Sequence, residues 1–180
     1  MMCPDSVCQD LSVPDNRVAG WGLFAAWAVH DTEEVLTATW WSRQTTPRLR
    51  AEGWPNWLVD GATTTTARFA VAAAVVGVAV LLVAWRGAQT GGRSPVFQAA
   101  VLVFGWHGLV HAGQAVLLRG YVPGLVGAVL VVVPYAVWAW RACGRTAEAR
   151  RPSTVLIVGV AAAAIALTFA AQSLSELLLG

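Results

Sequence analysis

The chain has no lysine. All 12 of its basic residues are arginine, they face 10 acidic residues, and the net charge is only +2 over 180 residues. That balance gives no reason to expect a nucleic-acid partner, which needs a clustered basic surface. Charge of either sign is scarce. Charged residues make up 12%, about half of the roughly 25% of an ordinary soluble domain, too few to cover a water-soluble globule or to keep a chain disordered. Three cysteines exclude a disulfide scaffold. Cys3 and Cys8 lie in a polar N-terminal tail, where a pair is not implied, and Cys143 reads as part of a late loop. The first 16 residues hold Asp5, Asp10 and Asp15 and no basic residue, so they do not read as a secretory signal. What the chain has instead is apolar: 57% hydrophobic residues, 10 tryptophans and a mean hydropathy of +0.58. It reads as an integral membrane protein whose main partner is the lipid bilayer.

A bilayer core about 30 Å thick takes roughly 20 apolar residues per helix. Phe69 to Trp85 is an unbroken apolar run of 17 residues, and 25 residues without a formal charge separate Arg93 from Arg119. The expected architecture is all-α, a bundle of about five spans near 18–41, 67–86, 95–118, 121–140 and 153–175, behind a polar tail over 1–17. Tryptophans at span ends, among them Trp40, Trp41, Trp54, Trp57, Trp85, Trp138 and Trp140, suit the interface. Pro95, Pro123 and Pro152 fall where first turns are expected. Pro134, inside the fourth span, should kink it. Ser42 to Ala67 reads as an interfacial loop, and Ala142 to Arg151 as a shorter charged one. With the N-terminus inside, seven arginines lie on the inner face and five on the outer, which favours that orientation. The composition leaves a homo-oligomer open.

The first span reads VAGWGLFAAWAVHDTEEVLTATWW. His30 lies 12 residues after Val18 and 11 before Trp41, near the midplane, and Asp31, Glu33 and Glu34 follow it. One charge at helix centre costs about 2.5–3.5 kcal/mol on the lenient insertion scales, so this cluster needs compensation. Helical spacing puts His30, Glu33 and Glu34 on one face, extended by Thr37 and Trp41, with Asp31 turned about 100° away. The third span, PVFQAAVLVFGWHGLVHAGQAVLL, carries His107, His111 and Gln114 at i, i+4 and i+7, again at mid-depth. All three histidines of the chain therefore lie at similar depth on two helices.

Imidazole with carboxylate suits a divalent metal, zinc, iron or manganese, and the ion would offset the glutamate charge. The candidate ligands are His30, Glu33, Glu34, His107 and His111, with His30, Glu33 and Glu34 also the candidate catalytic groups. Asp31, Gln114 and Tyr135 are candidates for the supporting layer behind them. Two other readings stay open. A His–Glu hydrogen-bond network would only glue helices together, at roughly 1 kcal/mol per bond. A buried glutamate would work as an acid or base without metal.

His30-Asp31-Thr32-Glu33-Glu34 resembles the defining motif of the HXXEE family of small bacterial membrane proteins. The stretch Leu117-Leu118-Arg119-Gly120-Tyr121-Val122-Pro123-Gly124-Leu125, preceded by His111 and followed by Pro134-Tyr135, is similar to that family's second region. The resemblance covers roughly residues 18–140. It implies a multi-spanning fold, a bacterial cytoplasmic membrane and an important polar cluster, and it names no substrate. His30, Glu33, Glu34 and His111 match the pattern, and His107 falls outside it.

Three functions follow as expectations. The first is a membrane-embedded, metal-dependent enzyme acting on a lipophilic small molecule: an isoprenoid, an acyl chain or a lipid-like natural product. The second is a metal-free cyclase or isomerase, with a protonated glutamate as donor and Trp21, Trp27, Phe104 and Trp106 flanking a cation. The third is no enzyme but a metal- or proton-handling protein, for which five spans without an inverted repeat are few.

Overall fold

The computed structural model describes residues 17–144 and 151–179, and all regular structure among them is helical. Cys3, Cys8, Arg145 and Arg150 lie outside the described residues. The order is α1 (Arg17–Ala51), α2 (Asn56–Gly61), α3 (Thr66–Gln89), α4 (Pro95–Leu117), α5 (Leu125–Gly127), a π-helical segment (Ala128–Val132), α6 (Val133–Gly144) and α7 (Thr154–Leu179). The last three pieces before α7 run on as one helix. The starts of α3 and α4 follow ordinary capping chemistry. The Thr65 side chain accepts from the Arg68 N–H, and that of Ser94 accepts from the Phe97 N–H with Pro95 just behind it.

Among the described residues four helices are long and apolar enough to cross a membrane: α3, α4, the helix over Leu125–Cys143, and α7. The protein is a membrane protein. α1 is less apolar because of the polar run from His30 to Glu34, yet it lies antiparallel to α3 over the same length. Gly20 abuts Ala84 and Ala88 near one end, the Trp27 ring covers Gly77 midway, and Thr39 meets Thr66, hydroxyl to hydroxyl at 2.8 Å, near the other. A fifth membrane-length helix is therefore present. Small residues set these approaches: a β-carbon on Gly105 would lie 2.8 Å from that of Ala136, and Gly108 seats Val132 and Val133. Such contacts hold helices together where lipid is as apolar as leucine.

Three expectations are corrected. The segment from Ser42 is not a loop: α1 continues through Pro47 to Ala51. Ser42, Thr45, Thr46 and Leu49 form a buried stripe, and Leu49 packs with Val59 and Ala62 of the α2 region. Tertiary packing outweighs the missing N–H of one proline. The fourth span does not start at Tyr121. Its helix begins at Leu125, because Gly124 takes φ +77°, a left-handed conformation that ends the connector, and Pro123 stands before it rather than in a first turn. Cys143 is not in a loop but buried in the last turn of α6, with Ala139 and Ala136. The fourth span, expected to kink at Pro134, carries a π-helical segment over Ala128–Val132, shortly before that proline.

Two apolar cores occupy opposite ends of the bundle. One gathers Ala19, Leu23, Ala84, Phe97, Val101, Ala136, Ala139 and Cys143. The other gathers Leu49, Val59 and Ala62 under Trp41, Trp54 and Leu118. The polar residues of α1 and α4 lie between them.

Candidate metal centre

The turn between α4 and α5 builds one wall of the site. Its backbone leaves the α4 end under the hold of Arg48, which donates to the Leu118 carbonyl at 2.7 Å. Trp41 donates its indole N–H to the Tyr121 carbonyl, also at 2.7 Å. From there the chain descends along α1, past Thr37 and Glu33, to Gly124 on His30 and Glu34. Non-helical backbone at membrane depth is tolerated only where protein covers it. Val122 and Gly124 are buried.

Glu33 secures the descent. Its Oε1 accepts from the Tyr121 hydroxyl at 2.7 Å and the Val126 N–H at 3.1 Å, and its Oε2 from the Gly127 N–H at 2.5 Å. Gly124 has no side chain to cap α5. Glu33, from another helix, satisfies the N–H groups that a capping residue would, and its charge lies at the positive end of the helix dipole. Tyr121→Phe removes one donor to a carboxylate, worth about 1–2 kcal/mol at this half-buried position. We expect a lower thermal unfolding midpoint with the helix content of the native state unchanged by circular dichroism. An unchanged midpoint would show that the bond contributes nothing.

The other carboxylate turns the opposite way. Glu34 is buried, and so are His30 and His111. Its Oε1 lies 3.4 Å from Nε2 of His111 and its Oε2 3.8 Å from Nε2 of His30, longer than good hydrogen bonds. Nε2 of His107 lies 3.1 Å from that of His30 and 3.0 Å from that of His111. One ligand atom from each of His30, Glu34, His107 and His111 falls within 4.8 Å of the others. Around one tetrahedral ion with bonds of about 2.0–2.1 Å, donors sit about 3.3 Å apart, between the 3.0 Å of the closest pair and the 4.8 Å within which all four atoms lie.

Protons alone do not account for this packing. A ring nitrogen bears either a hydrogen or one lone pair, so Nε2 of His107 can satisfy one of its two imidazole neighbours, not both. A cation placed among the three rings would satisfy all three lone pairs together. The Nδ1 atoms of His30 and His111 are buried without a hydrogen-bond partner, while the backbone of Gly124 faces the first ring and that of Pro123 the second. These contacts fall short of hydrogen-bond geometry, so the N–H bond that usually anchors a metal-bound histidine from behind is not made at either ring.

The expected residues thus divide. His30, Glu34, His107 and His111 come together, and Glu33 stands apart with its oxygens occupied. Asp31 is half-buried near the Trp27 indole, one turn back on α1. Gln114 is exposed and makes none of the cluster's hydrogen bonds among the described residues. The Tyr135 hydroxyl donates to the Ala19 carbonyl at 2.6 Å, about 16 Å along α1 from His30. It fastens α6 to α1 and does not support the cluster. Of the aromatics, Trp27 covers Gly77, Trp21 and Trp106 are exposed, and Phe104 meets His30 edge-on at 6.2 Å. Sequence reasoning missed the roles of Tyr121, Gly124 and Gly127. The Pro123-Gly124 pair is a turn signal that pointed to the first two.

The motif residues of α1 and the turn that lies on them are thus one unit in space. A family described as "protein of unknown function with HXXEE motif" matches residues 21–139. The chain belongs to the HXXEE family. The match covers α1 through most of α6 and leaves α7 outside it. No curated protein and no solved structure matches the chain. Seen in three dimensions, the HXXEE motif separates by role: its His and final Glu join the two histidines of α4, while Glu33 holds the turn.

Proposed function

We propose that the protein is a membrane-embedded, metal-dependent enzyme acting on a lipophilic substrate, in a bacterial cytoplasmic membrane. The observation that carries this reading is the convergence of one nitrogen from each of three imidazoles and one carboxylate oxygen within 4.8 Å, in a helical bundle whose bilayer surroundings tolerate polar groups poorly. A borderline ion, zinc, iron or manganese, suits three imidazoles and a carboxylate. When bound it would supply Lewis-acid or redox chemistry, taking a substrate oxygen in addition to the four protein donors.

The chain's own residues have distinct parts in this reading. His30, His107 and His111 bind through Nε2. Glu34 binds through one oxygen, and its second oxygen remains as a proton acceptor beside the substrate. Glu33 and Tyr121 keep the turn in place and exclude water from one side. The metal-free reading, in which Glu34 alone handles the proton, lacks a partner set for the facing imidazoles.

The test is metal content. Protein purified in detergent without chelators, then offered zinc, iron and manganese in turn, should hold about one ion per chain by mass spectrometry. A protein that retains none after every reconstitution would sink the proposal. Retained metal with no turnover of any lipophilic substrate class would leave the non-enzymatic, metal-handling reading.

A further inference from the structure

The four grouped side chains are not equally enclosed. His30, Glu34 and His111 are buried, whereas His107 is exposed. Its neighbours on the outer face of α4 are apolar and exposed as well: Trp106, Leu109 and Val110. The reason lies in the packing. α1 and α4 pack on α3, α5, α6 and the π-helical segment in common, and α4 also on α7. Their backbones make few direct approaches, so they meet through side chains: apolar ones at one end and the imidazoles at the cluster.

Both ends of the cluster are covered. Toward one end lies the apolar core of Leu23, Phe97 and Val101, with Phe104 packed on it. Toward the other, the backbone of Gly124 lies against His30 and Glu34. The open side is the His107 side, and at mid-bilayer depth it meets acyl chains rather than bulk water. Phe104 forms an apolar wall beside it, its ring stacked near His107 at 6.4 Å and 12°.

Resting on the reading of the group as a metal centre, we propose that the site takes its ligand laterally from the bilayer, beside His107 and against Phe104. The ligand is a lipid-soluble molecule with an oxygen donor at the end of an apolar chain. The donor type follows from charge. Three neutral imidazoles and one carboxylate around a divalent ion leave one net positive charge, which a low-dielectric surrounding makes costly. A carboxylate or alkoxide oxygen cancels it. The chain follows from the route, because only a molecule already dissolved in the bilayer meets this face.

Cobalt(II) is a suitable probe, since its visible absorption bands report any change of ligand. Cobalt-loaded protein in lipid nanodiscs would be titrated with dodecanoic acid and, separately, with acetic acid. The carboxyl donor is the same and only the route differs. We expect dodecanoic acid to shift the bands at a bulk concentration at least about 100-fold lower, because its chain concentrates it in the bilayer. Val110→Trp, one turn from His107 on the open side, should weaken that response about tenfold while cobalt uptake stays at the wild-type level. An equal response to acetic acid, or none to dodecanoic acid in a cobalt-loaded protein, overturns the lateral route and leaves the metal centre standing. A wild-type protein that takes up no cobalt overturns the metal centre itself, and this proposal with it.

Discussion

Glu34→Ala is expected to lower metal affinity by more than about 100-fold, and His111→Ala to do the same. Supporting residues behind metal ligands typically cost 10–100-fold when removed, and a ligand costs more. Glu34 has a further reason to dominate. It is the only carboxylate in the group of four, so without it a divalent ion sits among three neutral rings with its full charge uncompensated at mid-bilayer depth. Glu34→Gln separates the two contributions. It keeps an oxygen of the same reach and removes the charge, and an intermediate loss is expected. Glu33→Gln should retain metal, because Glu33 points to Tyr121, Val126 and Gly127 instead. Competition with a fluorescent chelator measures all four variants. Wild-type affinity in Glu34→Ala would remove this residue from the centre, and equal losses at 33 and 34 would refute the division of the motif described above.

Gly124→Ala should damage stability and site together. At φ +77° any side chain costs about 1–2 kcal/mol. The added β-carbon would also lie 2.5 Å from Cε1 of His30 and 2.8 Å from Cγ of Glu34, an overpacking worth about 1–3 kcal/mol. The sum, about 2–5 kcal/mol, corresponds to a drop of roughly 4–20 °C in unfolding midpoint for a chain of this size. Because the clash falls on two ligands, metal affinity should fall with it. Gly159→Ala is the matched control: it lies in α7 with nothing within 4 Å of the added carbon, and its midpoint should stay level or rise slightly, since alanine favours a helix. If Gly124→Ala matches the control in midpoint and in metal content, the turn does not bear on the ligands as described.

Much of this protein is legible from composition and spacing. Charge scarcity and apolar run lengths indicate membrane helices, because hydrocarbon admits few alternatives for a hydrogen-bonded backbone. The depth of His30, His107 and His111 follows from counting residues between span ends. Helix ends are less legible. α1 runs ten residues past Trp41, since the buried stripe from Ser42 to Leu49 has its partner in Val59 and Ala62, and a partner across space leaves no mark beside Pro47. Residue spacing leaves only Arg119-Gly120 to connect the third and fourth spans, yet Tyr121–Gly124 is non-helical as well, with Trp41 holding the Tyr121 carbonyl and Glu33 the N–H groups of Val126 and Gly127 that follow.

Glu33 and Glu34 show most sharply where the two kinds of information part. The sequence by itself determined that both acids lie near mid-membrane, within a turn of His30, and that histidines on a second helix share that depth. It could not tell the two glutamates apart. Adjacent residues of a helix point about 100° from each other, and what stands at each bearing is a property of the other helices. Only the tertiary structure decided that the start of α5 faces Glu33 while His30 and His111 face Glu34. One carboxylate thereby became a cap for a buried helix end, and its neighbour became the anionic member of the candidate metal centre.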